Sequence, residues 1–147
     1  YENISEIKSS NANSNLIWAD LRYFHYLYNS KFVIATRLSG GTISGTPGYM
    51  TRYTLGGAER LRGYYTNRFR GNHFYSAQAE FRFPLYRKFS GVGFIDEGDI
   101  DDNKLDEILL TYGGGIRFSI NENVVLRLDY GIAKDQKGLF FTFGEAF

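Results

Sequence analysis

The sequence predicts an all-β fold: an antiparallel transmembrane β-barrel wall of about seven to eight strands. Three observations predict it. Apolar and polar residues alternate with period two almost from end to end, no segment shows a helical period, and short connections alternate with longer ones. Composition agrees, because 18% of the 147 residues are aromatic and 43% apolar while mean hydropathy is only −0.33. An ordinary soluble domain does not combine these values, whereas strands with one apolar and one polar face average to a soluble-looking hydropathy. No window approaches the roughly 18 uninterrupted apolar residues of a membrane helix, so a membrane role must use strands.

Strands are expected over 15–28, 31–41, 72–85, 89–99, 108–120, 123–133 and 139–147. The first two carry Asp20, Arg22 and Arg37 on their second face. In 73–85 the odd positions His73, Tyr75, Ala77, Ala79, Phe81, Phe83 and Leu85 oppose Ser76, Gln78, Glu80 and Arg82. In 108–120, Leu110, Tyr112, Ile116 and Phe118 oppose Thr111, Gly113, Gly115, Arg117 and Ser119. In 124–132, Val124, Leu126, Leu128, Tyr130 and Ile132 oppose Arg127, Asp129 and Gly131. The second face repeatedly holds charge. Alternation alone does not exclude a soluble sandwich with its apolar face inside and its charges in water. The connections discriminate, since 29–30, 86–88 and 121–122 are tight while 42–71, 99–107 and 135–137 are longer or more polar. Short periplasmic turns and longer external loops are the pattern of an outer-membrane barrel. On that reading the apolar face meets lipid, Arg in place of Leu126 or Leu128 is costly, and Arg127 tolerates change.

Seven strands is an odd number, bacterial single-chain barrels have even counts, and 1–10 alternates too poorly to supply a clear eighth strand. The whole of 1–147 is therefore expected to be one barrel region, incomplete at its N-terminus, forming the C-terminal part of a barrel of about 16 strands. A small self-contained barrel and a strand-sharing oligomer are the alternatives.

Arg62 lies in the longest connection, and loops of that length inside compact proteins are functional or disordered. Asp96 shares strand parity with Phe94 and Gly98 on the face assigned to the lumen, and Glu80 lies on the corresponding face of the preceding strand. A loop folded inward would bring Arg62 to Glu80 and Asp96 with Phe94 beneath the guanidinium, offsetting desolvation by paired hydrogen bonds and a cation–π contact. The bland alternative is a solvated Arg62 and a routine lumen acid.

Over roughly 53–147 the chain resembles the BamA/TamA-like outer-membrane assembly superfamily, the bacterial surface-antigen family. The shared features are Gly56-Gly57 leading into Arg62-Gly63-Tyr64, the Glu80-Phe81-Arg82 strand, Phe94-x-Asp96-x-Gly98 and an aromatic C-terminus. The resemblance implies that Arg62 packs inside the barrel against Phe94 and Asp96, with Glu80 a further partner. Leu61 stands where the family commonly has Val or Ile. Gln136-x-Gly138-x-x-Phe141-x-Phe143, extended to Phe147, resembles the terminal-strand signal read by barrel-insertion machinery. The implied function is insertion or export of other proteins. Expected partners are outer-membrane lipid, the insertion machinery and unfolded client proteins. A barrel that anchors or exports an attached passenger, such as a patatin-like lipase domain, is the alternative, as is a stand-alone structural barrel.

Other signals point away from enzymes, cofactors and nucleic acid. Zero Cys removes thiolate chemistry. His25 and His73 have no spaced ligand partners. Asp99-x-Asp101-x-Asn103 begins like a calcium loop, but Lys104 replaces the turn glycine and Leu110 the closing glutamate. Gly113-Gly114-Gly115 sits within a strand and opens no helix, so it reads as relief for close packing, not as a phosphate cradle. Arg52, Arg60, Arg62, Arg68 and Arg70 interleave with tyrosines, but one loop and a net charge of +1 make a weak nucleic-acid signal. No catalytic residues are expected and no metal site.

Overall fold

The computed structural model describes residues 3–11, 14–28, 31–101, 108–121 and 124–144. Its strands are β1 (Asn3–Asn11), β2 (Ser14–Leu27), β3 (Phe32–Gly45), β4 (Tyr53–Leu55), β5 (Phe69–Gly71), β6 (His73–Tyr86), β7 (Phe89–Ile100), β8 (Leu109–Asn121), β9 (Val124–Ala133) and β10 (Lys137–Phe143). Eight of them form one antiparallel sheet in the order β1-β2-β3-β6-β7-β8-β9-β10, a meander in which each strand pairs with its neighbour in sequence once the loop between β3 and β6 is set aside. β4 and β5 pair only with each other, as a small hairpin within that loop.

The eighth strand is β1. The poor alternation of its sequence does not prevent pairing, because the ladder from Asn3↔Arg22 to Asn11↔Ser14 uses main-chain groups that any residue supplies. Among the described residues β1 and β10 do not pair with each other, so the sheet is an open wall. The connection that sequence left unstructured has regular pieces of its own, the β4–β5 hairpin and a 3-10 turn at Tyr49–Thr51.

The loop packs on one face of the sheet, here the inner face. Parity assigns each side chain. Inner positions Arg37, Gln78, Asp96, Thr111, Arg117, Arg127 and Asp129 are buried. Outer positions Leu21, Leu38, Phe81, Ile95, Tyr112, Ile116, Leu128 and Tyr130 are exposed. A water-soluble sandwich would show the reverse partition. The inverted arrangement is stable where the outer face meets hydrocarbon and the inner charges pair with one another.

The apolar cluster of the inner face lies at the end of the wall where the longer loops emerge. Leu55, Leu61, Tyr64 and Phe69 of the loop pack there on Phe74, Ile100, Leu109 and Ala133 at the ends of β6, β7, β8 and β9. This cluster seals the loop over the charged level beneath it.

Candidate functional site

Backbone register builds the floor of the site. Ala35, Glu80, Phe94, Gly113, Gly131 and Gly138 lie opposite one another across β3, β6, β7, β8, β9 and β10, making one level of the inner face. Three adjacent strands therefore present glycine at that level, leaving a channel. The Phe94 ring lies over Gly113, where a Cβ would fall 2.6 Å from its Cζ. The loop backbone lies over Gly131, where a Cβ would fall 2.6 Å from the Arg62 carbonyl carbon and the Gly63 nitrogen. Gly63 itself has φ +113°, a conformation that side chains oppose.

Seated in this channel, Arg62 is fully buried. Its Nε donates to Asp96 Oδ2 at 2.8 Å and its Nη2 to Asp96 Oδ1 at 2.6 Å, a two-pronged bond. The Arg62 backbone N–H donates to Asp96 Oδ2 as well, at 3.1 Å. Nη1 donates to Glu80 Oε1 and lies 3.8 Å from Asp129 Oδ2. The guanidinium carbon stands 3.7 Å from the Phe94 ring centroid. Burial works against the charge of Arg62, but its bonds to Asp96 and the negative charges of Asp96 and Glu80 more than offset it, holding its pKa above the ordinary guanidinium range.

The remaining carboxylate oxygens are also used. Glu80 Oε2 accepts from Arg82 Nε at 2.8 Å, and Glu80 Oε1 lies 3.6 Å from Arg117 Nη2. Asp129 accepts from Arg117 and, at 2.6 Å, from Arg127 Nη2. The guanidiniums of Arg62, Arg82, Arg117 and Arg127 thus share the carboxylates of Glu80, Asp96 and Asp129. A second buried pair, Arg37 with Asp20 at 2.9 and 2.7 Å, stands beside them.

The wall also grips the loop by its carbonyls. Arg127 donates to Ala58 O at 3.2 Å, Arg37 to Glu59 O at 3.2 Å, Ser76 Oγ to Arg60 O at 3.1 Å and Gln136 Nε2 to Gly63 O at 3.0 Å. Tyr53 OH donates to Ile17 O of β2 at 2.9 Å. Loop bonds therefore reach from β2 to the turn before β10. Arg60, whose guanidinium carbon lies 4.8 Å from the Phe74 ring centroid, has a lowered pKa because burial and the nearby Arg37 disfavour its charge.

Of the residues singled out in the sequence, Arg62, Glu80, Phe94 and Asp96 come together. Gly63 lies beside them, against the backbone of β9 at Gly131 to Ala133. Tyr64 does not join the ion pairs and packs edge-on to Phe69 at 5.2 Å in the apolar cluster. Gly98 lies under Leu55, whose Cδ2 would be 3.2 Å from a Cβ there. Gly138 lies on the inner face near Gly63 O, whereas Phe141 and Phe143 point outward and are exposed. Phe147 lies outside the described residues.

Asp129, Arg117 and Arg127 join the ion pairs around Arg62, which sequence reasoning did not anticipate. Their only signal was charge at inner-face parity. The expectation that Arg127 tolerates change is corrected, because Arg127 is buried, bonds Asp129 and holds the loop at Ala58. Gln136, read only as part of a terminal signal, bonds Gly63 O and accepts from Arg68.

His73 Nδ1 lies 2.6 Å from Thr42 Oγ1 and His25 Nδ1 3.5 Å from Tyr23 OH, far apart in the sheet. Asp101 Oδ1 accepts from the backbones of Asn72 and His73 at 2.7 and 3.0 Å; Asn103 and Lys104 lie outside the described residues. Among the described residues no group of three or more His, Asp or Glu is placed to hold a metal. Two further loop cations have exposed partners: Arg68 bonds Asp135 at 2.5 Å, and Arg70 bonds Tyr49 O at 2.9 Å.

A family model described as the Omp85 superfamily domain matches residues 2–147. No curated protein matches the chain.

Proposed function

The chain belongs to the Omp85 superfamily, and from that premise we propose that it is an outer-membrane wall of a larger β-barrel that inserts or translocates other proteins. The observation that carries this reading is the loop held across the inner face by the Arg62, Asp96 and Glu80 bonds, on a sheet whose outer face is apolar. A barrel that served only to fill a membrane has no need of a buried loop tied to so many of its strands. An assembly barrel needs its interior organised while a sheet edge stays available. β10 lies at an edge of the sheet among the described residues, and backbone donors and acceptors on such a seam strand are the groups on which an incoming strand would add by β-augmentation. In this mechanism the chain does no covalent chemistry. Its residues hold the loop, shape the interior and present an edge to unfolded client proteins.

The test is to reconstitute the full chain in lipid vesicles and follow folding of an added unfolded outer-membrane barrel by its heat-modifiable gel mobility. Faster client folding than in empty vesicles, lost in Arg62→Ala, is the expected result. Equal rates with and without the chain would overturn an assembly role and leave the passenger-anchor reading, which an upstream nucleophile-elbow sequence would favour.

A further inference from the structure

The two ends of the wall differ in a way that the proposed function does not use. At the end where β2 meets β3 and β6 meets β7, the exposed turn residues Lys31, Arg87 and Lys88 are all cationic. Among the described residues no Asp or Glu flanks these turns, and Glu122 lies outside them. The opposite end mixes signs, with Arg68 and Arg70 beside Asp99, Asp101 and Asp135. Directly above the cationic turns, aromatic side chains of the outer face form a belt. Phe32 stacks on Phe81 at 5.9 Å, Phe81 on Phe83 at 5.9 Å, and Phe89 meets Phe118 at 4.8 Å. Tyr28 and Tyr86 continue it into the turns, 79% and 69% exposed. Phe89 adjoins Lys88 in sequence, so the belt and the charges are separated by about one strand residue, ~3 Å.

Aromatic rings on a lipid-facing wall settle at the boundary between acyl chains and headgroups. Residues one step beyond that belt stand at headgroup depth. Lys88 spends one N–H on Ile120 O at 3.0 Å, leaving the other ammonium donors free to turn outward. Arg87 occupies a left-handed turn position, φ 51°, with its guanidinium carbon 5.9 Å from the Tyr86 ring. We propose that this rim is a binding surface for anionic phospholipid headgroups, with Lys31, Arg87 and Lys88 meeting the phosphate and the aromatic belt seating the acyl chains. The occupant follows from charge complementarity at headgroup depth, and the inference rests on the membrane reading given above.

The experiment reconstitutes the full chain in phosphatidylcholine vesicles with and without phosphatidylglycerol. Insertion is scored by carbonate-resistant flotation, and lipid selection by the lipid that co-purifies with the chain. Phosphatidylglycerol is expected to be enriched around the wild-type chain at low salt. Each cation contributes up to about fivefold in local partition, and the enrichment falls as salt is raised. The triple variant Lys31→Gln, Arg87→Gln, Lys88→Gln should insert normally and lose the enrichment. Insertion without phosphatidylglycerol preference, or a preference that survives the triple variant, overturns the rim and leaves the membrane reading intact. Failure to insert into either vesicle overturns both.

Discussion

Arg62 and Asp96 are joined at three points: Nε to Oδ2 at 2.8 Å, Nη2 to Oδ1 at 2.6 Å, and the Arg62 backbone N–H to Oδ2 at 3.1 Å. A side-chain fork and a main-chain donor on one carboxylate fix the loop's orientation as well as its depth. Arg62→Ala removes the fork and leaves Asp96 and Glu80 with less compensation, which costs about 3 to 5 kcal/mol for a buried pair and less where water reaches the inner face. Asp96→Asn should have a similar effect. The double variant is expected to fall short of the sum in denaturant unfolding, and strict additivity would disprove direct coupling. Arg62→Lys should rescue poorly, because an ammonium has no planar fork.

Gly131 supplies a sharper test of the channel. A Cβ there would lie 2.6 Å from the Arg62 carbonyl carbon and the Gly63 nitrogen, both backbone atoms that cannot rotate away. Gly131→Val should displace the loop at an overpacking cost of about 1 to 3 kcal/mol while the sheet persists. Limited trypsin digestion reads the outcome, since cleavage at Arg60 or Arg62 should appear in the variant and not in the parent.

Face assignment is tested on adjacent residues of one strand. Leu128 is 43% exposed on the outer face and Arg127 is buried on the inner one. Leu128→Arg should cost about 2 to 4 kcal/mol near the bilayer centre, measured by folding into vesicles. Arg127→Leu is also costly, for a different reason: Asp129 loses its 2.6 Å partner and Ala58 O its donor. A tolerated Leu128→Arg would refute the lipid-facing assignment.

Gln136 links the loop to the β9–β10 hairpin through Gly63 O and Arg68. Replacing it with Ala removes both bonds, and a neutral hydrogen bond contributes about 0.5 to 1.5 kcal/mol. Hydrogen exchange at the β10 amides should accelerate roughly threefold to tenfold while β7 amides stay protected. Unchanged β10 exchange would show that the loop does not restrain that edge.

Strand parity was legible because a period of two forces Asp96, Glu80 and Asp129 to one face whatever the rest of the chain does. The alternation of tight and longer connections was legible for the same local reason. β1 was not, since ladder pairing leaves no mark on the side-chain pattern when Ile4 and Ile7 fall on opposite parities among polar residues. Nor were Arg117, Arg127 and Gln136 distinguishable from solvated charges and a terminal signal, because Asp129 lies 12 residues from Arg117, Ala58 O lies 69 from Arg127 and Gly63 O lies 73 from Gln136.

Alternation, a local property of extended backbone, settles in the sequence which residues share a face. Which face is covered by the loop, and which of its charges meet, is a matter of tertiary packing. That depends on register, which sets Phe94, Gly113, Gly131 and Gly138 at one level, and on the loop that descends into the channel they leave. A one-residue slip in any of those ladders would turn the glycines outward and close the channel to Arg62.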